Sequence, residues 1–189
     1  MRRALAGASA ALLLSARAES GPEVVVTMDE SRPCCVHGTF SAAVSAAVAW
    51  DVLADYDSIG RFVPSVQSSR LERLPDGELR LHQEAISSMF LVRKRVKVVL
   101  DIEEQPGARI GFRDLLGRDF HSYVGEWRIA PDSAGTKVEY QVEADPRGSL
   151  ARAMCRGVLR HNAQDLLGQV RREMVRRAAT DSAAVQTRR

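Results

Sequence analysis

Val44-Ser45-Ala46-Ala47-Val48-Ala49-Trp50-Asp51-Val52-Leu53-Ala54-Asp55-Tyr56-Asp57-Ser58-Ile59-Gly60-Arg61-Phe62-Val63-Pro64 reads as a short amphipathic helix running straight into an aromatic, proline-closed turn. Ala46, Ala49, Trp50 and Leu53 stand at i, i+3, i+4 and i+7, the spacing of one apolar stripe, and Ser45 sits where an N-cap belongs. Asp51 and Asp55 are expected to face water. A second helical turn is expected near Ser58 to Phe62.

Outward from this stretch the pattern changes from helical to alternating. A first strand is expected over 36–44, and after the helices strands are expected over 66–74, 78–88, 91–104, 108–115, 119–130 and 135–144. Turn residues at Pro75-Asp76-Gly77, Pro106-Gly107, Gly117 and Ser133-Ala134-Gly135 separate most of them at hairpin spacing. In the hairpin that begins at Phe120, His121, Tyr123, Gly125, Trp127 and Ile129 share one face, and Val138, Tyr140 and Val142 form the matching set on the next strand. These faces should look inward. Gly125 among bulky neighbours implies close approach by another element or room for a ligand.

The run Arg93, Lys94, Arg95, Lys97 resembles a nucleic-acid patch by composition alone. Alternation places Arg93, Arg95 and Lys97 on a face shared with Asp101 and Glu103, which is the pattern of a solvated, charge-paired strand face. No nucleic-acid partner is implied. A long helix starts near Ser149 with Leu150, Met154, Val158, Leu159, Leu166, Val170 and Met174 as its apolar positions. They drift around the axis, as in a helix lying across a curved sheet. Arg152, Arg156 and Arg160 form a row on it, and Arg171, Arg172, Arg176 and Arg177 crowd its end. Favourable charge near a helix C-terminus explains the crowding, and attraction to an anionic membrane surface is the functional alternative.

The early helix, the hairpin through Gly135-Thr136-Lys137-Val138-Glu139-Tyr140 and the Ala144-Asp145-Pro146-Arg147 exit into the last helix resemble the SRPBCC (START/helix-grip) superfamily. The closest likeness is to its polyketide cyclase/dehydrase and coenzyme Q-binding START-domain branch. It covers Val36 to Arg177 and rests on Trp50, Leu53, Asp55, Tyr56, Phe62, Pro64, Gly125, Trp127 and Asp145. The resemblance implies an α+β helix-grip fold: a curved antiparallel sheet of about seven strands around a long C-terminal helix, with two short helices after the first strand and a hydrophobic cavity between sheet and helix. It implies no shared catalytic machinery, since the superfamily includes binders, cyclases and toxin-like proteins.

Residues 1–18 read as a secretory signal peptide: Arg2 and Arg3, an uncharged run from Ala4 to Ala16, then Ala16-Arg17-Ala18 as a small-x-small cleavage site. Residues 19–35 are expected to be an N-terminal spacer, 36–178 the START-like domain and 179–189 a flexible tail. Periplasmic or secreted localisation follows from the leader. Cleavage would remove Arg2, Arg3 and Arg17 and with them all of the formal +3 charge, leaving 24 basic and 24 acidic residues. The basic balance of the whole chain is therefore no argument for a nucleic-acid partner. A chain of this length suffices for one domain burying roughly 70% of its unfolded surface.

His37, His82, His121 and His161 make no metal-ligand spacing with one another or with a cysteine pair, so neither a metal site nor a cofactor is expected. The odd cysteine count allows one bridge in an oxidising compartment, from Cys34 or Cys35 to Cys155, leaving a free thiol; Cys155 as a small buried hydrophobe is the alternative. No nucleophile elbow, P-loop or dinucleotide fingerprint is present. The candidate ligand-binding residues are Phe112, His121, Tyr123, Trp127 and Tyr140, an aromatic, weakly polar wall suited to an apolar ligand with one or two polar handles. The expected function is thus an exported binder of a hydrophobic or lipid-like molecule, with a quinone or isoprenoid allowed by the family likeness. A polyketide aromatase/cyclase using His121, Tyr123 or Asp114 for proton transfer is the enzymatic alternative, and a ribosome-associating toxin-like protein is the alternative if the chain is not exported.

Overall fold

The structure is a computed structural model that describes residues 24–32, 34–89 and 92–187. Eight strands, β1 (Val25–Met28), β2 (Cys35–Ala42), β3 (Val66–Arg73), β4 (Leu79–Met89), β5 (Val92–Gln105), β6 (Arg109–Asp114), β7 (Phe120–Asp132) and β8 (Gly135–Pro146), form one antiparallel sheet. Their order is β1-β2-β8-β7-β6-β5-β4-β3. Between β2 and β3 lie α1 (Ala46–Leu53) and a 3-10 helix (Tyr56–Arg61), and the chain closes with α2 (Ser149–Thr187). This is the helix-grip α+β arrangement. The seven expected strands are β2 to β8, each within two residues of its expected ends.

Two boundaries differ from expectation. Val25–Met28 lies in the stretch expected as a spacer but pairs with β2 as an edge strand. Four residues are too few to show a convincing period of two, which is why the pattern hides it. At the other end α2 runs on to Thr187 through the stretch expected as a flexible tail.

Alternation decides which side of the sheet meets α2. On β2 and β8 the even positions Val36, Phe40, Ala42, Val138, Tyr140 and Val142 are buried, and they meet Ala163, Leu167, Val170 and Met174 of α2 in one core. A side chain at Gly38 would run into the Leu167 side chain, so the helix lies close to the sheet at this pair. Beyond it the core continues through Leu81, Leu100, Ile102, Ile110 and Phe112 on the same concave face.

Ser45 caps α1 as expected, its hydroxyl accepting from the Val48 N–H at 3.2 Å. The buried face of α1, however, is Ala49 and Val52, with Trp50 and Leu53 half-buried beside it and Ala46 exposed. Small residues let α1 lie close against α2, so the widest ring is displaced to the flank of the contact. Asp55 does not simply face water. It accepts from Arg177 of α2 at 2.7 Å, and the Arg177 guanidinium also bonds Glu173 at 2.8 Å and lies over the Phe62 ring. Arg177 thus ties the 3-10 segment to α2, a role that crowding at a helix end did not suggest.

Three residues of the basic run on β5, Lys94, Arg95 and Lys97, are charge-paired. Arg95 and Lys97 meet Glu84 at 2.6 and 2.8 Å, and Lys94, on the other face, meets Asp119 at 2.8 Å.

Candidate functional site

The concave face carries the aromatic wall that the sequence assigns to it, with one exception. Tyr140 lies tilted against Trp127 at 4.4 Å between ring centroids, Phe112 lies 5.7 Å from Tyr123, and Phe112 and Tyr140 are 6.4 Å apart. The sheet register produces this cluster: Trp127 pairs with Tyr140, and Phe112 pairs with Gly125. A Cβ at Gly125 would overlap the Phe112 ring and the Gln141 carbonyl, so the space beside this glycine is taken by a protein ring. Phe112 and Tyr140 are buried, while Tyr123 and Trp127 are half-buried and form the accessible part of the wall.

His121 is the exception. A bulge on β7 between Phe120 and Ser122 places one extra residue there, since Phe120 pairs with Pro146 and Ser122 with Asp145. The extra residue resets the alternation. His121 is consequently exposed, and Phe120 takes the place beside Tyr123, 4.9 Å between centroids. Phe120 is a wall residue that strict alternation assigns to the wrong face.

The polar groups of the wall include the neighbouring hydroxyls of Tyr123 and Tyr140, each of which acts on the ionisation of the other. Loss of water contact pushes both phenols up, Tyr140 well above its ordinary value with the Tyr123 hydroxyl adding to the effect. Both are therefore neutral hydrogen-bonding groups. Tyr56 behaves likewise: burial and its bond to Glu104 at 2.7 Å drive its phenol far up. Asp114, the candidate acid near Tyr123, is committed to the chain around it, accepting from the backbone N–H groups of Val99, Leu116 and Gly117, each at 3.1 Å.

Amide side chains of α2 and β4 bond to serines of β4 and β3. Asn162 donates to Ser87 at 3.2 Å, and Gln83 donates to Ser69 at 3.1 Å. Two turns after Asn162, on the same helical face, the Gln169 Oε1 is buried without a hydrogen-bond partner among the described residues. A buried acceptor left unpaired costs about 1–3 kcal/mol, so a group that satisfies it gains that much.

Cys34, not Cys35, is bonded to Cys155, which joins the start of β2 to α2; Cys35 is a buried free thiol. The arginines considered for membrane contact are largely engaged with the protein. Arg152 meets Asp145 at 3.5 Å, Arg156 meets Glu30 at 3.0 Å, Arg171 donates to the Ser41 carbonyl and Arg176 bonds Glu173, while Arg160 and Arg172 are exposed. On the convex side of the sheet a cleft of about 500 Å³ opens between β1, β2, β8 and β7, lined by Thr27, His37, Thr39, Glu126 and Arg128 among others. Near it, side-chain ligand atoms of Asp29, Cys35 and His37 lie within 4.8 Å of one another. The expectation of no metal site rested on spacings within the sequence, whereas Asp29 joins Cys35 and His37 from across the β1–β2 ladder.

The family description "Polyketide cyclase / dehydrase and lipid transport" matches residues 33–175. The chain belongs to this family. The match supports a ligand-binding helix-grip domain and does not single out a coenzyme Q branch. Solved structures share the fold. A protein from Thermus thermophilus matches with a TM-score of 0.66 at 17% identity, covering 76% of this chain and 99% of that one. A STAR-related lipid transfer protein from Xanthomonas axonopodis matches with a TM-score of 0.57 at 20% identity, covering 82% and 97%. The di-domain ARO/CYC StfQ from the steffimycin biosynthetic pathway matches with a TM-score of 0.63 at 18% identity, covering 77% of this chain. The chain spans about half of StfQ, 52% of its length. No curated protein matches the chain by sequence.

Proposed function

We propose that this protein is an exported carrier of an apolar small molecule, a quinone, isoprenoid or fatty-acyl compound, held between the concave face and α2. The observation that carries the reading is the accessible aromatic flank Tyr123–Trp127 on the face that α2 covers, with the hydroxyls of Tyr123 and Tyr140 close to one another behind it. Such a wall gives the ligand apolar contact and one neutral hydrogen-bonding end. The unpaired Gln169 acceptor is a second polar point on the helix side, suited to a ligand hydroxyl. In this reading Phe112, Phe120, Tyr123, Trp127 and Tyr140 form the wall and His121 lies outside it.

Export after Ala18 to the periplasm or the medium is part of the same proposal. The Cys34–Cys155 disulfide supports it, because cytosolic thiols are kept reduced. Exposed Leu115, Leu116 and Leu150 support collection of the ligand from a membrane, since Arg147 bonds the Gly117 carbonyl and holds this loop beside the start of α2. Contact through Arg160 and Arg172 would add to it.

The cyclase alternative needs a proton carrier at the wall. His121 points away from it, and both Asp114 oxygens are used by backbone donors, which leaves Tyr123. The binding reading therefore stands first. The deciding experiment titrates delipidated protein with a panel of long-chain quinones, isoprenoids and fatty acids while following tryptophan emission. Saturable quenching, weakened about tenfold by Tyr123→Phe with little change in unfolding midpoint, is the expected result. A panel without saturable binding refutes the carrier, and Tyr123-dependent turnover of a poly-β-ketone would replace it with the cyclase.

A further inference from the structure

β2 presents Cys35 and His37 two residues apart, on the face turned away from α2. The Cys35 Sγ and the His37 Nε2 are 3.7 Å apart. Across the ladder the Asp29 N–H bonds the Cys35 carbonyl at 3.0 Å, which brings the Asp29 carboxylate to the same point. That carboxylate is held in place: one oxygen, Oδ1, accepts from the Ser31 N–H at 2.8 Å and from the Ser31 hydroxyl at 2.6 Å. The other oxygen, Oδ2, lies 3.6 Å from the Arg32 guanidinium, which is itself bonded to Glu143 at 2.8 Å. The Arg32 charge is thus offset by two carboxylates.

The separation of sulfur and nitrogen has a metrical meaning. With Zn–S near 2.3 Å and Zn–N near 2.0–2.1 Å, a tetrahedral zinc ion sets its S and N ligands about 3.6 Å apart. The observed pair is already at that chord. The three ligand atoms, all within 4.8 Å of one another, comprise one thiol, one imidazole and one carboxylate. This mixed set suits a borderline-soft divalent ion and not calcium or magnesium, which take oxygen ligands. Cys35 is fully buried, whereas His37 is exposed and lines the convex cleft, which gives an ion its approach.

We propose that Asp29, Cys35 and His37 form a zinc site on the convex face of the sheet, remote from the concave wall. Asp29 Oδ2, Cys35 Sγ and His37 Nε2 supply three ligands and solvent water takes the fourth position. On binding, the Cys35 S–H bond breaks, the sulfur–zinc bond forms and the proton passes to solvent. The site pins β1 and the following turn to β2, so occupancy would fix the edge of the sheet without touching the aromatic wall.

Zinc chloride and cobalt chloride are the probes, added to the disulfide-bonded chain freed of metal by chelation and kept without thiol reductant. Calorimetry should give one Zn²⁺ per chain with release of a proton, and Co²⁺ should produce a thiolate-to-cobalt charge-transfer band together with tetrahedral visible bands. His37→Gln, an exposed position where folding is not at risk, should weaken Zn²⁺ binding at least tenfold. Cys35→Ser should abolish the charge-transfer band while circular dichroism shows a folded chain. His161→Ala, at an exposed histidine of α2 that pairs with Asp165 and is not among the three ligands, should change nothing. Absence of saturable binding, or binding insensitive to His37→Gln and silent in the thiolate band, overturns the proposal and leaves Cys35 and His37 as a hydrogen-bonded pair only.

Discussion

Replacing Glu173 by Gln tests the idea that α2 holds the 3-10 segment through a charge clasp. Glu173 is nearly buried, its side chain 9% exposed, and accepts from Arg176 at 2.7 Å and Arg177 at 2.8 Å. The Arg176 hydrogen bonds foremost, then those of Arg177 and both charges, outweigh desolvation and bring its carboxyl from an ordinary 4.5 to about 2. At 1.36 kcal/mol per unit the shift corresponds to ~3 kcal/mol, and exposure of Arg176 to solvent makes that an upper figure, so ~2 kcal/mol is the working expectation. A carboxyl depressed in the folded state stabilises above its unfolded value and loses that contribution as pH falls through its folded value. The stability gap between wild type and Glu173→Gln should therefore be full at pH 7, shrink below about pH 5 and close near pH 2, as read from urea unfolding at several pH values. Equal midpoints at pH 7, or a gap unchanged between pH 7 and pH 3, would refute the clasp. Asp55→Asn is the companion variant: if Arg177 couples the two carboxylates, its cost and that of Glu173→Gln should not add.

Other consequences are simpler to check. Cys155→Ser opens a loop with a sequence separation of 121 and should lower stability by up to ~5 kcal/mol on chain-entropy grounds, measured by denaturant unfolding without reductant. Leu167→Ala empties a fully buried position where helix and sheet meet closely and should cost ~3 kcal/mol in the same assay, while Gly38→Val, which forces a side chain into Leu167, should cost ~1–3 kcal/mol when made alone in the wild-type background. Trp50→Ala should cost less than a fully buried tryptophan does, ~2 kcal/mol, because the ring sits on the flank of α1. Protein recovered from the periplasm or medium should begin at Glu19 on N-terminal sequencing; recovery of the uncleaved chain alone in the cytoplasm would remove the export proposal.

The strands were readable because a sheet with one buried face imposes a period of two over long runs, and β5, β7 and β8 are long. His121 shows where that logic stops. A bulge inserts one residue without any compositional mark, so every position before it is assigned to the wrong face. The buried face of α1 was misplaced for a different reason: Trp50 dominates any apolar stripe drawn on the sequence, yet the helix packs by its smaller residues, Ala49 and Val52. The Asp55–Arg177–Glu173 clasp and the Asp29–Cys35–His37 group were invisible because each joins residues from separate elements, and no single-segment periodicity encodes such meetings. The aromatic wall was legible since Trp127 and Tyr140 are placed opposite one another by a short hairpin turn.

The place of β2 in the sheet bears on how the chain reaches this state. β2 lies between β1 and β8, and its pairing with β8 joins positions about a hundred residues apart, Cys35 opposite Glu143. The hairpins from β3 to β7 can form locally as the chain emerges, but the ladder between β2 and β8 has to wait for β8. Non-local pairing of this kind slows folding by its loop-closure entropy. Until β8 arrives, β2 presents an unpaired edge with Val36 and Phe40 uncovered, and the helix that covers them is made after β8. A nascent chain of this protein therefore keeps this edge open until β8 and α2 have been made, a state vulnerable to aggregation.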